Sequence, residues 1–299
     1  MNIIIGFGVV GKSVLKSIEN KVDKITIIDP DKGFEKPKDF PSCGTKVIFI
    51  CVPTPTKHGR QDLSIISSLL FELKTSSFDG LIIIKSTILP SYAKQLEKEP
   101  LRIIHSPEFL DQSKPYEPQI RHIVGFNDLA AKRTDWYMDL FLTTSSPNNF
   151  FLTSLSTAAM IKYVHNVHGA LKVAFFNEIY DKCWFSGVDY REMLNGLLWA
   201  NDHVGKGYTQ IALDGQRGFG GACYPKDIIA FNSEYSLKTL AAAIEYNMQW
   251  NRPEMNKCLE PVEPIPVTII KRDGDIFVED DCGNICKKPS TPWPYGEQK

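Results

Sequence analysis

Missing from the sequence is any apolar run near the ~20 residues that a bilayer-spanning helix requires. Missing too is a surplus of charge: 34 Lys and Arg face 35 Asp and Glu, a net charge of −1. Neither a membrane nor a nucleic acid is therefore an expected partner. The start has no leader-like pattern, because Asn2 runs directly into Ile3-Ile4-Ile5, which reads as a strand. Cysteines number seven, an odd count, and are scattered. Reduced thiols in a cytoplasm are the simplest reading. Cys282 and Cys286, and separately His165 and His168, lack companion ligands at suitable spacing, so no metal is expected. What remains is ordinary globular composition, 43% hydrophobic and 23% charged, over 299 residues. That length suits two domains better than one core.

One stretch departs from the ordinary, Phe219-Gly220-Gly221-Ala222-Cys223-Tyr224-Pro225-Lys226-Asp227. Its glycines let backbone approach a ligand. Lys226 beside Cys223 is expected to lower the thiol's pKa and raise its thiolate fraction. Asp227, four residues after the cysteine, is placed to hold a base or a water. At the other end lies Gly6-Phe7-Gly8-Val9-Val10-Gly11. Together the two point to a redox enzyme using a dinucleotide and a covalent cysteine intermediate.

The glycine fingerprint sits where a dinucleotide site needs it. Residues 3–5 form a strand, Lys12 to Glu19 an amphipathic helix, and Lys24–Ile28 a second strand ending at Asp29. Gly6 makes the turn, Gly8 leaves room for pyrophosphate, and Gly11 lets helix pack on strand. The helix N-terminus offers free N–H groups and a positive dipole end to the phosphates. Asp29, 18 residues after Gly11, is placed to bind both ribose hydroxyls and repel a 2′-phosphate, which favours NAD. A glycine turn in some other α/β domain is the alternative.

Further strands are predicted at Lys46–Val52, Leu81–Lys85, Arg102–His105 and His122–Gly125. With helical stretches between them they imply an α/β chain with a Rossmann-like, doubly wound parallel sheet, whose ligands bind beyond the carboxyl ends of the strands. Three of those ends carry Cys51-Val52-Pro53-Thr54-Pro55, Lys85-Ser86-Thr87-Ile88-Leu89-Pro90 and Ser106-Pro107-Glu108-Phe109-Leu110. Singly, each proline reads as a strand terminator. Jointly, the ends read as one site.

From Thr153 to Phe185 the pattern is helical, with Lys162 and Asn166 one turn apart on one face. An isolated lysine is ordinarily on the surface. Here Ala158, Ala159, Ile161, Val164 and Val167 surround it, and lysines are seldom buried without a partner. Asn177 and Glu178 read as structural. The amphipathic stretch Leu237–Trp250 is suited to packing across a partner subunit. The expected organisation is an NAD-binding domain over 1–152, a helical dimerisation domain carrying the cysteine loop over 153–257, and a tail over 258–299 with a hairpin, Val267–Ile270 and Ile276–Val278.

In order from Gly6 to about Trp250, these motifs jointly resemble the UDP-glucose dehydrogenase family, within the wider UDP-glucose/GDP-mannose dehydrogenases. The matching residues are the glycine fingerprint, Cys51-Val-Pro-Thr-Pro55, Asp62, Ser86-Thr87, Pro107–Leu110, Lys162-x-x-x-Asn166, Asn177-Glu178 and Phe219–Asp227. The resemblance implies oxidation of a nucleotide sugar's C6 alcohol to a carboxylate, with two NAD reduced, making a precursor for polysaccharide synthesis. It implies that Cys223 forms a thiohemiacetal and then a thioester, and that Lys162 and Asn166 stabilise charge on the C6 oxygen. Asp227 and Thr87 would handle a proton through a water, and Glu108 would activate the hydrolytic water. Cofactor contacts are implied for Gly6, Gly8, Val9, Val10, Gly11, Asp29, Pro53, Thr54, Thr87 and Lys226. Substrate contacts are implied for Glu108, Phe109, Leu110, Lys162, Asn166, Phe219 and Gly220. A homodimer through the helical domain follows from the same likeness. Departures are Gln112 in place of a second glutamate, Tyr224 in place of a phenylalanine, and His203 in place of a loop arginine. About forty residues follow the long helix, so a compact form without the family's C-terminal UDP-binding domain is expected. Two other readings remain: a 3-hydroxyacid-type dehydrogenase resting on Lys162 and Asn166, and a non-catalytic NAD-binding module.

Overall fold

The computed structural model describes residues 2–22, 24–37, 40–41, 44–109, 119–142, 149–200, 203–212 and 214–259, and the backbone of 268–272, 275–279 and 285–287. Two compact units divide the chain, Met1–Leu259 and Glu260–Lys299.

The first unit opens with β1 (Asn2–Ile5), α1 (Val9–Ile18), β2 (Ile25–Ile28) and β3 (Val47–Ile50). A small antiparallel pair follows, β4 (Thr56–Lys57) and β5 (Arg60–Gln61), then α2 (Ser64–Thr75), β6 (Leu81–Ile84), α3 (Pro90–Leu96) and β7 (Arg102–His105). The sheet closes with β8 (His122–Phe126), α4 (Thr134–Phe141) and β9 (Phe150–Ser154). Its strand order is β2-β1-β3-β6-β7-β8-β9.

Strands β1, β3 and β6 are buried along their whole length because their uninterrupted apolar runs feed two cores at once. Successive side chains alternate between faces. Ile3, Ile5, Ile48, Ile50, Ile82 and Ile84 meet Leu70 and Leu73 of α2 and Ala93 and Leu96 of α3. Ile4, Val47, Phe49, Leu81 and Ile83 meet Val14 and Ile18 of α1 and Tyr137 and Phe141 of α4. The five strands β2, β1, β3, β6 and β7 are parallel, as the repeating strand–helix order predicts. Strand β8 corrects the all-parallel expectation, running antiparallel to β7, with β9 parallel to β8. Apolar periodicity marks a segment as sheet but carries nothing about its direction.

The helical part begins with α5 (Leu155–Ser186), 32 residues long. Ser154 caps it, its Oγ accepting from Thr157 N at 3.2 Å, and Gly187 at φ 67° ends it. Leu155, Ala158, Ala159, Lys162, Tyr163, Asn166 and Val167 form its buried face. Then come α6 (Tyr190–Ala200), α7 (Tyr224–Tyr235), α8 (Lys238–Met248) and α9 (Pro253–Leu259). Cys223 is the N-cap residue of α7, and Pro225 sits in the first turn, where its missing N–H leaves no bond unmade. A third core joins Tyr163 and Val167 of α5 to Ile228 and Phe231 of α7 and Leu240 of α8. Among the described residues, no helix is long and apolar enough to cross a membrane.

In the second unit, β10 (Thr268–Arg272) and β11 (Asp275–Glu279) form the expected hairpin, and β12 (Ile285–Lys287) adds a strand that the sequence reading did not include. The turn residues Asp273 and Gly274 lie outside the described residues.

The turn from β1 into α1 tolerates no side chain at Gly11, where an added Cβ would fall on the Gly6 carbonyl oxygen. Gly11→Ala should destabilise the protein by about 1–3 kcal/mol through overpacking, measured as a lowered urea midpoint at unchanged m-value.

Candidate active site

At the β1–α1 corner, Gly6 adopts φ +89° and lies so close to the end of β3 that a Cβ would stand 2.6 Å from the Cys51 carbonyl oxygen. Gly8, the N-cap residue of α1, faces open space. Val9 is exposed and Val10 half-buried just beyond it. Asp29 closes the corner: its Oδ2 accepts from Phe7 N at 2.6 Å and from Lys32 Nζ at 2.6 Å. Lys32 beside it, helped by the Phe7 N–H, holds the carboxyl below its ordinary range against the effect of burial. A helix end with unmade N–H bonds, clear space at Gly8 and an ionised acid at the next strand fit a dinucleotide.

The loops after β3 and β6 are tied together. Thr54 is buried, its hydroxyl donating to the Thr87 carbonyl at 2.8 Å, while Pro53 beside it is exposed. Gln61 donates to the same carbonyl at 2.8 Å and accepts from Leu89 N at 2.9 Å. Thr87 is thus fixed through its backbone and half-buried. Asp62 lies two residues before α2, accepting from Ser64 N at 3.0 Å and pairing with Lys57 at 2.8 Å. Thr56 Oγ1 donates to the Lys226 carbonyl at 2.7 Å, which binds this loop pair to α7.

The reactive set meets between α5 and α7. Asn166 Nδ2 donates to Asp227 Oδ2 at 2.6 Å, and Lys226 Nζ pairs with Asp227 Oδ1 at 2.6 Å. One turn earlier on α5, Lys162 is only 4% exposed. Its Nζ donates to the Glu108 carbonyl at 2.7 Å, lies 3.6 Å from Glu108 Oε1 and sits 5.1 Å over the Phe109 ring. His165 meets the same ring edge-on at 5.1 Å. The loop after β7, helix α5 and the start of α7 therefore converge, and Cys223 is half-buried at that start. Leu110 and Gln112 lie outside the described residues.

The expected lowering of the Cys223 pKa is corrected. Burial pushes the thiol up, Asp227 and Glu108 push the same way, and Lys226 and Lys162 only partly oppose them. The lysine next to the sulfur already faces a carboxylate, so its net field there is small. Burial works against the Lys226 ammonium too, yet Asp227 raises its pKa overall.

What holds the cysteine loop was not visible in the sequence. Asn247 of α8 brackets Phe219, accepting from its N–H at 2.7 Å and donating to its carbonyl at 3.0 Å. The Phe219 ring itself is buried in the third core. Arg252, 3% exposed, bonds Gln216 at 2.9 Å, Asp214 at 2.6 Å and the Gly218 carbonyl at 3.3 Å. Its guanidinium fills the space that a side chain at Gly220 would need. Asn177 accepts from Arg217 Nε at 2.8 Å and from Gly218 N at 3.2 Å, a structural role.

Two sequence profiles match the chain. One is the UDP-glucose/GDP-mannose dehydrogenase family, NAD binding domain, over residues 38–136, and the other is the central domain of that family over residues 156–252. A UDP-glucose 6-dehydrogenase of Rickettsia bellii is 32% identical over 202 residues, which are 63% of this chain and 45% of that protein. The chain spans about half the length of the curated relatives it matches. Among solved structures, a UDP-glucose dehydrogenase from Pyrobaculum islandicum aligns with a TM-score of 0.67 at 20% identity, covering 83% of this chain and 68% of that one. A UDP-D-ManNAc dehydrogenase from Pyrococcus horikoshii aligns at 0.66 and 21% identity, over 84% and 69%. At such identities the structural likeness concerns the fold.

Because burial and Asp227 hold the Cys223 thiol up while Lys226 pulls it down, its alkylation should respond to each charge with a definite sign. The midpoint of the rate–pH curve should lie above that of an ordinary thiol, rise further in Lys226→Met and fall in Asp227→Asn, as followed by mass spectrometry of iodoacetamide-treated protein.

Proposed function

The chain belongs to the UDP-glucose/GDP-mannose dehydrogenase family, and from that premise we propose that it oxidises the C6 alcohol of a nucleotide sugar, UDP-glucose first among them, to the carboxylate. The observation that carries this reading is the convergence of Lys162, Asn166, Asp227, Lys226 and Glu108 around a half-buried cysteine. NAD, the family's cofactor, supplies the hydride acceptor, two equivalents per sugar. In this reading Gly6, Gly8, Val9, Val10 and Gly11 cradle its pyrophosphate, Asp29 takes the ribose, and Pro53, Thr54, Thr87 and Lys226 complete the wall.

The residues divide the work by charge. Lys162 as a cation and Asn166 as an amide donor would stabilise negative charge on the C6 oxygen. Asp227 and Thr87 would take the alcohol proton through a water as the first of the two hydrides leaves C6, giving the aldehyde. Cys223 sulfur would then attack the aldehyde carbon, forming a carbon–sulfur bond, and the carbonyl oxygen would gain a proton as the thiohemiacetal. Loss of the second hydride from that carbon, with the hydroxyl proton, would leave a thioester. Glu108 would draw a proton from water as the water adds, and cleavage of the carbon–sulfur bond returns the thiol and the carboxylate. Holding the aldehyde covalently keeps it from escaping between the two oxidations. Glu108, Phe109, Leu110, Lys162, Asn166 and Gly220 are proposed substrate contacts; Phe219, its ring in the core and its N–H and carbonyl both bonded to Asn247, is proposed to act by fixing the loop.

A homodimer through the helical half is part of the same proposal. It is supported by the exposure of Trp184, Phe185 and Trp199, at 77%, 82% and 90%. The free thiols of Cys51, Cys183, Cys223 and Cys258 support a reducing compartment such as the cytoplasm.

NADH release should be followed with UDP-glucose, UDP-N-acetyl sugars and GDP-mannose, alongside the oligomeric state. The expected stoichiometry is two NADH per sugar. Cys223→Ser should lower turnover by about 10³-fold or more, and Lys162→Ala by about 10²–10³-fold. One NADH per sugar with free aldehyde, or an active Cys223→Ser, would sink the covalent scheme.

A further inference from the structure

The turn after β2 brings in a charge that the sequence reading did not include. Asp29 ends the strand, and the chain folds back on it through Pro30–Lys32, a turn of 3₁₀ helix, and Gly33 at φ 78°. Lys32 N and Phe34 N donate to the Asp29 carbonyl at 2.9 and 3.1 Å, and Asp29 N donates to the Phe34 carbonyl at 2.8 Å. Residues 29–34 thus close on themselves and carry Lys32 back to the acid. Its Nζ donates to Asp29 Oδ2 at 2.6 Å, where the Phe7 N–H also arrives at 2.6 Å. Both bonds go to Oδ2, which leaves Oδ1 for a ribose.

A carboxylate at this place disfavours NADP because its charge repels the 2′-phosphate. That holds for a bare carboxylate. Here an ammonium stands within a hydrogen bond of it, so at the distance of a phosphate the two charges largely cancel. The order of the pair matters as well. The Asp29 side chain is 11% exposed and the Lys32 side chain 47%, so the cation is the outer member, which an entering phosphate meets first. Lys12, 5.9 Å over the Phe7 ring, brings a second positive charge to this corner, and the exposed Asp31 opposes it. The exposed Phe34 ring, edge-on to Phe7 at 5.5 Å, gives an adenine a face beside the acid. One turn therefore holds a group for a plain ribose and a group for a phosphorylated one.

We propose that Lys32 is a cofactor-specificity residue and that this site takes NADP as well as NAD. Asp29 Oδ1 receives the hydroxyls of an unmodified ribose, and the Lys32 ammonium turns to the 2′-phosphate where there is one. Such dual use rests on the dinucleotide reading of the β1–α1 corner and on no step of the proposed oxidation. An ion pair that only braced the turn would, when cut, change the two cofactors alike.

Titration of the full chain with NADH and with NADPH, followed by nicotinamide fluorescence, measures both affinities without turnover. The unmodified protein should bind NADPH within about tenfold of NADH. Lys32→Met and Lys32→Gln should each weaken NADPH by about tenfold or more, while NADH stays within about threefold. Lys32→Arg, which keeps the charge, should hold NADPH near its original affinity, and Asp29→Asn should favour NADPH relative to NADH. Should the neutral Lys32 variants fail to fold, the affinity ratio in the unmodified protein and its change in Asp29→Asn decide the matter. NADPH bound more than about 100-fold weaker than NADH, an equal loss of both in Lys32→Met, or a ratio unmoved in Asp29→Asn overturns the assignment. Binding of NADH alone counts against Lys32 alone. Binding of neither by the folded protein counts against the dinucleotide reading itself, and the role of Lys32 falls with it.

Discussion

The buried hydrogen bond from Asn166 to Asp227, 2.6 Å long, is the join on which the site depends. It fixes α5 against the first turn of α7, and each helix carries one half of the reactive set. On α5, Lys162 stands one turn before Asn166 and reaches the loop after β7. On α7, Asp227 stands one turn after Cys223, its own N–H bonding the Cys223 carbonyl at 3.1 Å. Together with the packing of Tyr163 and Val167 on Ile228 and Phe231, the Asn166–Asp227 contact sets the spacing between sulfur, amide and ammonium. A hydrogen bond to a charged group contributes about 1.5–3 kcal/mol, and leaving Asp227 at 1% exposure with one partner fewer would cost at least that order.

Charge follows from the same arrangement. Lys85, Lys162 and Lys226 face Glu108 and Asp227 in a region where water is largely excluded. Desolvation makes every such interaction stronger than it would be at the surface. It also explains the resting thiol. Partial burial favours the neutral form of the sulfur, and the neighbouring lysines already face carboxylates, so the Cys223 thiol is held above its ordinary range.

Much of this was legible in local pattern. The apolar runs of β1, β3 and β6, the glycine fingerprint closing on Asp29, the i, i+4 pair Lys162 and Asn166, and the hairpin in the second unit are all short-range signals. They sit where the sequence placed them. Strand direction was not legible, because alternation is the same either way along a strand, and β8 and β9 run against the rest. Lys85 was read only as part of a strand end, since nothing local says that a lysine there is buried. Asn247 and Arg252 act on residues 28 and 34–38 positions away, a distance over which sequence spacing says nothing. The Cys223 pKa was misjudged in sign because adjacency of Lys226 was visible and burial was not.

The cysteine loop shows why composition can mislead about cause. Its glycines suggest a backbone opened for a ligand. At Gly218 an added Cβ would collide with the Asn247 side chain, and at Gly220 with the Arg252 guanidinium. At those two positions the missing side chains make room for protein groups that grip the loop, one bracketing Phe219 and the other spanning Asp214 to Gly218. The segment has no regular secondary structure of its own, so its order has to come from those contacts. In the proposed scheme the sulfur needs such a fixed approach, because a loop free to move would spread it over many positions and lose the benefit of orientation. The glycines therefore serve the sulfur by way of Asn247 and Arg252, which hold the loop from the C-terminal side of the same unit.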